Sequence, residues 1–148
     1  MIHSLDGTAA RMLEIAAAEI GYHEGVNNHT KYQTKDQPWC GAFLMWCAKQ
    51  NHIEVPSVVG TIEGAAAMKK LGQWHEHPEV GDFVFFDFID DKKVRIQHVG
   101  IVELVSAKSI ITIEGNTSDQ VMRKTRALGA HSPIVGYGRP NYRKAENG

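Results

Sequence analysis

The sequence has few cysteines, no long apolar run and no excess of charge of either sign. Its 148 residues include two cysteines, and 16 Lys and Arg stand against 17 Asp and Glu, so the net charge is −1. Nucleic acids and anionic membrane surfaces attract strongly basic patches, which this balance does not supply. No stretch approaches the roughly 18 apolar residues of a membrane-spanning helix. We therefore expect no nucleic-acid partner and no membrane insertion.

The N-terminal segment, MIHSLDGTAARMLEIAAAEIG, also lacks the uninterrupted apolar centre of a secretory signal. Its apolar residues recur at three- and four-residue spacing, which predicts a helix: Ala9, Met12, Leu13, Ala16, Ala17 and Ile20. Asp6 or Thr8 can cap the start of this helix, and Gly21 can end it. Without a signal we expect the protein to be cytoplasmic as synthesised.

Helical patterns come first in the chain and strand patterns follow. A second helix is predicted from Trp39 to Gln50, and a third, TIEGAAAMKKLG, ends at Gly72. The segments GDFVFFDFI, QHVGIVELV, SIITIEGN, VMRKTRAL and IVGYGRP then have the composition of strands. This order predicts an α+β fold in which an antiparallel sheet carries the helices. We expect a single domain over residues 1–142, and a frayed tail or the start of a linker over 143–148.

The two cysteines, Cys40 and Cys47, lie seven residues apart on the second predicted helix. Two helical turns separate their Cα atoms by about 10.5 Å, too far for a disulfide. Cys40 follows Pro38 at the helix entrance, where the positive end of the helix dipole favours a thiolate. Cys47 lies deeper and is predicted to be a small buried hydrophobe. The segment alone leaves Cys40 open as either a buried thiol or a nucleophile.

A nucleophilic cysteine needs a base and a group that orients the base. Among eight histidines, His98 stands out at the start of an apolar strand, where it is about as easily a buried, satisfied residue as a functional one. His75 and His77 have metal-ligand spacing but no third ligand nearby, so we expect a solvated loop. Glu114 and Asn116 would share one face if their strand stays extended. They could orient His98, or they could simply form a strand-ending turn.

Four ordered motifs resemble the CHAP family, the cysteine, histidine-dependent amidohydrolases/peptidases that cut peptidoglycan. They are WCGAF with Trp46, GDFVFF from residue 81, QHVGIV from residue 97 and EGN from residue 114. The N-terminal AAAEIGYHEGVNNHTKY and the C-terminal IVGYGRPNY are similar to family members as well. Motifs in fixed order are more specific than any one of them. The resemblance implies a papain-like fold with the nucleophile on a helix.

Carried onto this sequence, the family's nucleophile falls on Cys40, its general base on His98 and its orienting acid on Glu114. A second polar member of the site falls on Asn116. Many members have Gln where this chain has Trp39, so Gln37 or the Tyr32 hydroxyl is a candidate second oxyanion donor. Trp39 and Tyr32 are also predicted to contact substrate.

Some lysin members bind calcium in an acidic loop before the cysteine. The corresponding loop here, NNHTKYQTKDQP, holds one carboxylate, Asp36. Calcium sites usually recruit several carboxylates, so we predict no metal and no cofactor.

The resemblance implies a peptidoglycan hydrolase, an amidase or endopeptidase that forms a thioester acyl-enzyme. A phage or prophage endolysin fits the missing signal, because such an enzyme reaches the cell wall through a membrane lesion made by a holin. We expect a monomer, with no room for a separate wall-binding module. Two alternatives remain: a papain-like amidase acting on a small soluble amide, and a catalytically inactive wall-binding domain.

Overall fold

The computed structural model describes residues 5–144, in which helices precede strands as the sequence predicts. The helices are α1 Ala9–Ala18, α2 Cys40–Gln50 and α3 Thr61–Lys70, with a short 3-10 helix at Val26–Asn28. The strands are β1 Trp74–His75, β2 Phe83–Phe86, β3 His98–Val105, β4 Ser109–Thr117, β5 Gln120–Ala127 and β6 Ile134–Gly138. The α+β prediction is confirmed. None of the helices between residues 5 and 144 has the length and apolar character to cross a membrane.

The helix ends agree with the predicted capping residues. The Thr8 hydroxyl accepts a hydrogen bond from the Arg11 N–H at 3.1 Å, which satisfies one of the free donors of the first turn of α1. Gly21 and Gly72, which follow α1 and α3, have φ of 97° and 72°. This left-handed conformation suits glycine and ends a helix.

The strands form one six-stranded antiparallel sheet in the order β1-β6-β2-β3-β4-β5. β1 was not predicted: its two residues pair with Tyr137 and Gly138 of β6, so His75 lies in a strand rather than in a loop. Two residues are too few to show an alternating pattern, which explains the omission.

The two faces of the sheet bury different clusters of apolar residues. On the helix side the sheet residues of the main core are Phe83, Phe85, Val99, Ile101, Ile113 and Val121. The residues that alternate with these along the strands form a smaller cluster on the other face, namely Val84, Phe86, Val102, Ile110 and Tyr137. Because successive side chains of a strand point to opposite faces, His98 and Glu114 belong to the face of the smaller cluster.

Arg143, near the C-terminal end of the described residues, bonds to the segment before α1. The Arg143 N–H donates to the Gly7 carbonyl at 2.8 Å, and the Arg143 guanidinium donates to the Asp6 carbonyl at 2.8 and 3.0 Å. Arg143 is therefore bonded to the N-terminal part of the folded unit, and a frayed tail or the start of a linker over 143–148 stays a prediction. Residues 145–148 of that predicted tail lie outside the described residues, as do residues 1–4.

Candidate active site

Cys40 is the first residue of α2 and is 6% exposed. Its N–H lies in the first helical turn, where backbone donors have no partner within the helix. Gly41 follows, and a Cβ at this position would collide with the carbonyl of Val58. A glycine here lets the 57–59 segment pack directly on the start of α2. The Cys-Gly pair thus places the thiol at a tightly packed helix entrance.

His98 begins β3 and lies beside the Cys40 thiol, close enough for each group to shift the pKa of the other. Its Nε2 lies 2.9 Å from Oε1 of Glu114. Because Nε2 faces the carboxylate, Nδ1 is the ring nitrogen left for the thiol. The three side chains form a chain of contacts from nucleophile to imidazole to carboxylate, an arrangement typical of cysteine hydrolases.

Glu114 is fully buried, and the sheet register makes room for it. Ile101 pairs with Ile113, so the next position along the ladder sets Gly100 opposite Glu114. A Cβ at Gly100 would lie 2.7 Å from Cγ of Glu114. Since Gly100 has no side chain, the Glu114 side chain can lie across β3 and reach His98. The His-Val-Gly spacing of the sequence therefore has a direct structural purpose.

The Glu114 carboxylate accepts hydrogen bonds from three further side chains. Arg126 donates through Nε to Oε2 at 2.9 Å and through Nη2 to Oε1 at 2.6 Å. The Thr112 hydroxyl donates to Oε2, and the Thr117 hydroxyl donates to Oε1 at 3.2 Å. Together with His98, four side chains are bonded to this carboxylate, as a buried charge requires.

Sequence reasoning missed Arg126 and the two threonines. Alternation places Thr112 and Arg126 on the Glu114 face of their strands, and this was the available signal. In the β4–β5 pairing Arg126 lies opposite Ile110 and Met122 lies opposite Glu114, so the pairing alone does not reveal that Arg126 reaches Glu114.

The pKa values of the three groups move as an ion pair requires. Burial raises the pKa of the Cys40 thiol, but the hydrogen bond and charge of His98 and the backbone amides of Val99 and Gly41 outweigh it and leave the pKa lowered. Burial opposes the charge on His98 too, yet its bonds to Cys40 and Glu114 raise its pKa to about 9. Burial likewise disfavours ionised Glu114, and the His98 and Arg126 bonds lower its pKa to about 2. The geometry thus favours thiolate, imidazolium and carboxylate together.

Two aromatic rings pack beneath this chain of contacts. Phe86 and Phe88 stack with centroids 5.3 Å apart, and the His98 ring lies 5.7 and 5.8 Å from them. The Arg126 guanidinium lies 5.1 and 5.2 Å from the same two centroids. His98 and Arg126 therefore rest on a common aromatic pair, of which Phe88 is half exposed.

Asn116 does not share the geometry of Glu114. Its φ is 57°, in the left-handed region, at the irregularity between Glu114 and Thr117. The extended backbone that would bring Glu114 and Asn116 to one face is therefore absent. Among the hydrogen bonds of residues 5–144, His98 is bonded to Glu114 and not to Asn116. A catalytic role for Asn116 stays a prediction.

The predicted substrate contacts of Trp39 and Tyr32 need correction. Trp39 is fully buried, and its indole N–H donates to Oε1 of Glu24 at 2.9 Å. Tyr32 is 8% exposed, and its hydroxyl donates to Oε1 of Glu19 at 2.7 Å. Their rings stack with centroids 5.6 Å apart, so both side chains pack in the core next to α2 rather than facing a substrate. Gln37 is half-buried, and its role as an oxyanion donor stays a prediction.

The second cysteine and the candidate metal ligands lie apart from this site. Cys47 is a free thiol with no exposed surface, and burial raises its pKa, so the predicted buried thiol is confirmed. Asp36 of the loop before α2 contacts His29 at 3.1 Å. Across residues 5–144 no group of three or more His, Cys, Asp or Glu side chains is placed to hold a metal ion.

Comparison with known proteins bears on this geometry. The family model described as "CHAP domain" matches residues 31–116, which is more than half of the chain and includes Cys40, His98 and Glu114. A solved structure, described as similar to lipoprotein, NLP/P60 family, from Staphylococcus aureus, has a TM-score of 0.55 at 16% identity. The alignment covers 93% of this chain and 43% of that one, so the chain spans less than half of that protein. No curated protein matches the chain.

Proposed function

The chain belongs to the CHAP domain family, a family of cysteine peptidases and amidases, and on that premise we propose that it hydrolyses an amide bond of bacterial peptidoglycan through Cys40. The observation that carries this proposal is the contact between the Cys40 thiol and His98, whose second ring nitrogen is bonded to a buried carboxylate. Cys47 on the same helix has no such contacts.

The first half of the reaction forms a thioester. His98 holds the proton of Cys40, and the thiolate attacks the amide carbonyl carbon, which becomes a tetrahedral oxyanion. The Cys40 N–H, unpaired within the first turn of α2, is suitably located to donate to that oxygen. Collapse of the intermediate breaks the C–N bond while the His98 imidazolium protonates the leaving amine. The acyl group stays on the sulfur of Cys40.

The second half releases the acyl group. Neutral His98 removes a proton from water as the water attacks the thioester carbonyl. The intermediate expels the Cys40 thiolate, and the product leaves as a carboxylic acid. Glu114 accepts from Nε2 throughout, which holds the ring so that the other nitrogen faces the sulfur and the water.

The family chemistry is compatible with two kinds of bond. One is the amide between the lactyl group of the sugar and L-Ala, and the other lies within the stem peptide or its cross-bridge. We propose in addition that the protein is a phage or prophage endolysin that reaches the wall through a holin lesion. This proposal rests on the resemblance to the family members found in bacteriophage lysins.

The test is clearance of a suspension of purified cell walls. Wild type should lower the turbidity, and Cys40→Ala should reduce the rate to background because it removes the thiol that forms the acyl-enzyme. Cys47→Ala is the matched control on the same helix: it should keep its activity and lose about 1–2 kcal/mol of stability, as expected for a small buried cavity.

Clearance by Cys40→Ala at the wild-type rate would contradict the mechanism. If wild type does not clear walls from a range of cell-wall types, hydrolysis of a small amide or a wall-binding role replaces this proposal. Mass spectrometry of the released fragments then identifies the bond, because an N-terminal L-Ala on the peptide and a cut within the stem peptide give different masses.

A further inference from the structure

Arg126 donates hydrogen bonds to Glu114, the carboxylate that is bonded to the catalytic histidine. It lies on β5, outside the matched family segment, and bonds both oxygens of Glu114. We propose that Arg126 is a positioning residue that fixes the plane of the Glu114 carboxylate and restrains its pull on the His98 proton. This inference rests on the proposed function, because it assigns a role to Arg126 in the same reaction.

The orientation follows from the two-pronged geometry. A guanidinium that bonds both oxygens of a carboxylate holds its plane, whereas a single donor leaves the group free to rotate. Oε1 receives Nη2 of Arg126 at 2.6 Å and faces Nε2 of His98 at 2.9 Å. The oxygen that orients His98 is therefore itself held by Arg126.

Arg126 is in turn held in place by the aromatic pair. Its guanidinium lies over Phe86 and Phe88, the rings that also contact His98. Cation–π contact and stacking suit a planar guanidinium better than a lysine ammonium. The same two rings thus pack against the imidazole and the guanidinium, and Glu114 is bonded to both of these groups.

The charge of Arg126 acts against that of the imidazolium. The groups that bear on His98 are the Cys40 thiolate from α2, the Glu114 carboxylate from β4 and, across that carboxylate, the Arg126 guanidinium from β5. Arg126 draws on the same negative charge as His98. An imidazolium facing an unshared carboxylate would hold its proton more tightly and would be a poorer acid toward a leaving amine.

The experiment uses the full chain and measures the titration of His98 by NMR. In Cys40→Ala the imidazole no longer titrates together with the thiol, and the signal is assigned by its loss in Cys40→Ala/His98→Gln. Adding Arg126→Met should move the pKa of His98 upward by about one unit, because a neighbouring positive charge is removed. Arg126→Gln, which is also neutral but can donate a hydrogen bond, should act in the same direction if the Met variant does not fold.

Arg123→Met is the matched control. Arg123 lies on the same strand and bonds both oxygens of Glu103 at 2.6 and 2.9 Å, but at an exposed site away from His98. It should leave the His98 titration unchanged. Arg126→Lys keeps the charge without the fork, so it should leave the pKa of His98 near that of the Cys40→Ala parent.

Cell-wall clearance provides the catalytic test, and for it the Arg126 variants keep the native Cys40. Arg126→Met should lower kcat/KM about tenfold, and Arg126→Lys should recover part of the loss. A His98 pKa that does not move in Arg126→Met or Arg126→Gln, or that falls, overturns the proposal. If wild type does not clear walls, the proposed function fails, whereas the NMR titration still decides whether Arg126 acts on His98.

Discussion

Two buried carboxylates, Glu114 in β4 and Asp82 just before β2, each accept two hydrogen bonds from an arginine, yet their pKa values move in opposite directions. Arg139 donates to the two oxygens of Asp82 at 2.9 and 3.0 Å, much as Arg126 does to Glu114. Burial keeps the pKa of Asp82 above its usual value despite the arginine. The pKa of Glu114 falls to about 2 because His98 and Thr112 add to the arginine.

The difference lies in what else each carboxylate contacts. Besides Arg139, Asp82 accepts the backbone N–H of Glu79 at 2.8 Å. The pair links the turn before β2 to the residue that follows β6, which is a structural role. Glu114 instead contacts an imidazole that contacts a thiol. Burial and an arginine fork therefore do not by themselves indicate an active site, and the contact with a second ionisable group distinguishes the two.

The largest effect is expected from neutralising each carboxylate in turn. Glu114→Gln should lower kcat/KM for cell walls about 100-fold, because the imidazolium loses its counter-charge. Asp82→Asn should cost about 2 kcal/mol of stability, because Arg139 loses the hydrogen bonds to one carboxylate but keeps Glu79 at 3.2 Å, while the folded fraction keeps its activity. Activity per folded molecule, with the folded fraction taken from urea unfolding, checks both. Equal loss of activity in the two variants would contradict the assignment of a catalytic role to Glu114 and a structural role to Asp82.

The next largest effect is on the free energy of unfolding at acid pH, to which the two carboxylates contribute with opposite signs. The pKa of Glu114 is lowered from 4.5 to about 2 in the folded state, so its contribution is present above pH 4.5 and is lost as the pH falls toward 2. The loss is about 2 kcal/mol between pH 5 and pH 3. Asp82 has a raised pKa, so its titration favours the folded state at low pH and its contribution is lost as the pH rises.

Urea unfolding at a series of pH values tests these opposite signs. Glu114→Gln should flatten the fall in unfolding free energy between pH 5 and pH 3, and Asp82→Asn should steepen it slightly. A flatter curve for Asp82→Asn would show that the two carboxylates titrate alike.

The sequence predicted the elements of the site better than the contacts between them. Periodicity identified α1 and the long strands, and the ordered motifs pointed to Cys40, His98 and Glu114. Arg126 was missed because it pairs with Ile110, four residues before Glu114, so its contact with Glu114 depends on how two long side chains extend along the sheet face and not on the strand pairing. Trp39 was predicted to contact substrate as an aromatic residue of the 22–39 loop, but the direction of its side chain depends on tertiary packing, here on Glu24 and Tyr32. Local patterns carry no information on such partners, which come from distant parts of the chain.

The smallest effect is a shift in the alkaline limb of the pH–rate profile. The pKa of His98 is raised to about 9 by Cys40 and Glu114 against the effect of burial, so the imidazolium that protonates the leaving amine is lost as the pH rises through about 9. Glu114→Gln removes one of the two supports, and the limb of kcat/KM should move down by about one pH unit. Asp82→Asn has no contact with His98 and should leave the limb in place. Since the thiol and imidazole titrate as a pair, the limb belongs to both groups together. A limb that stays near pH 9 in Glu114→Gln would mean that Cys40 alone sustains the imidazolium, and the distinction between the two carboxylates would then be one of geometry and not of charge.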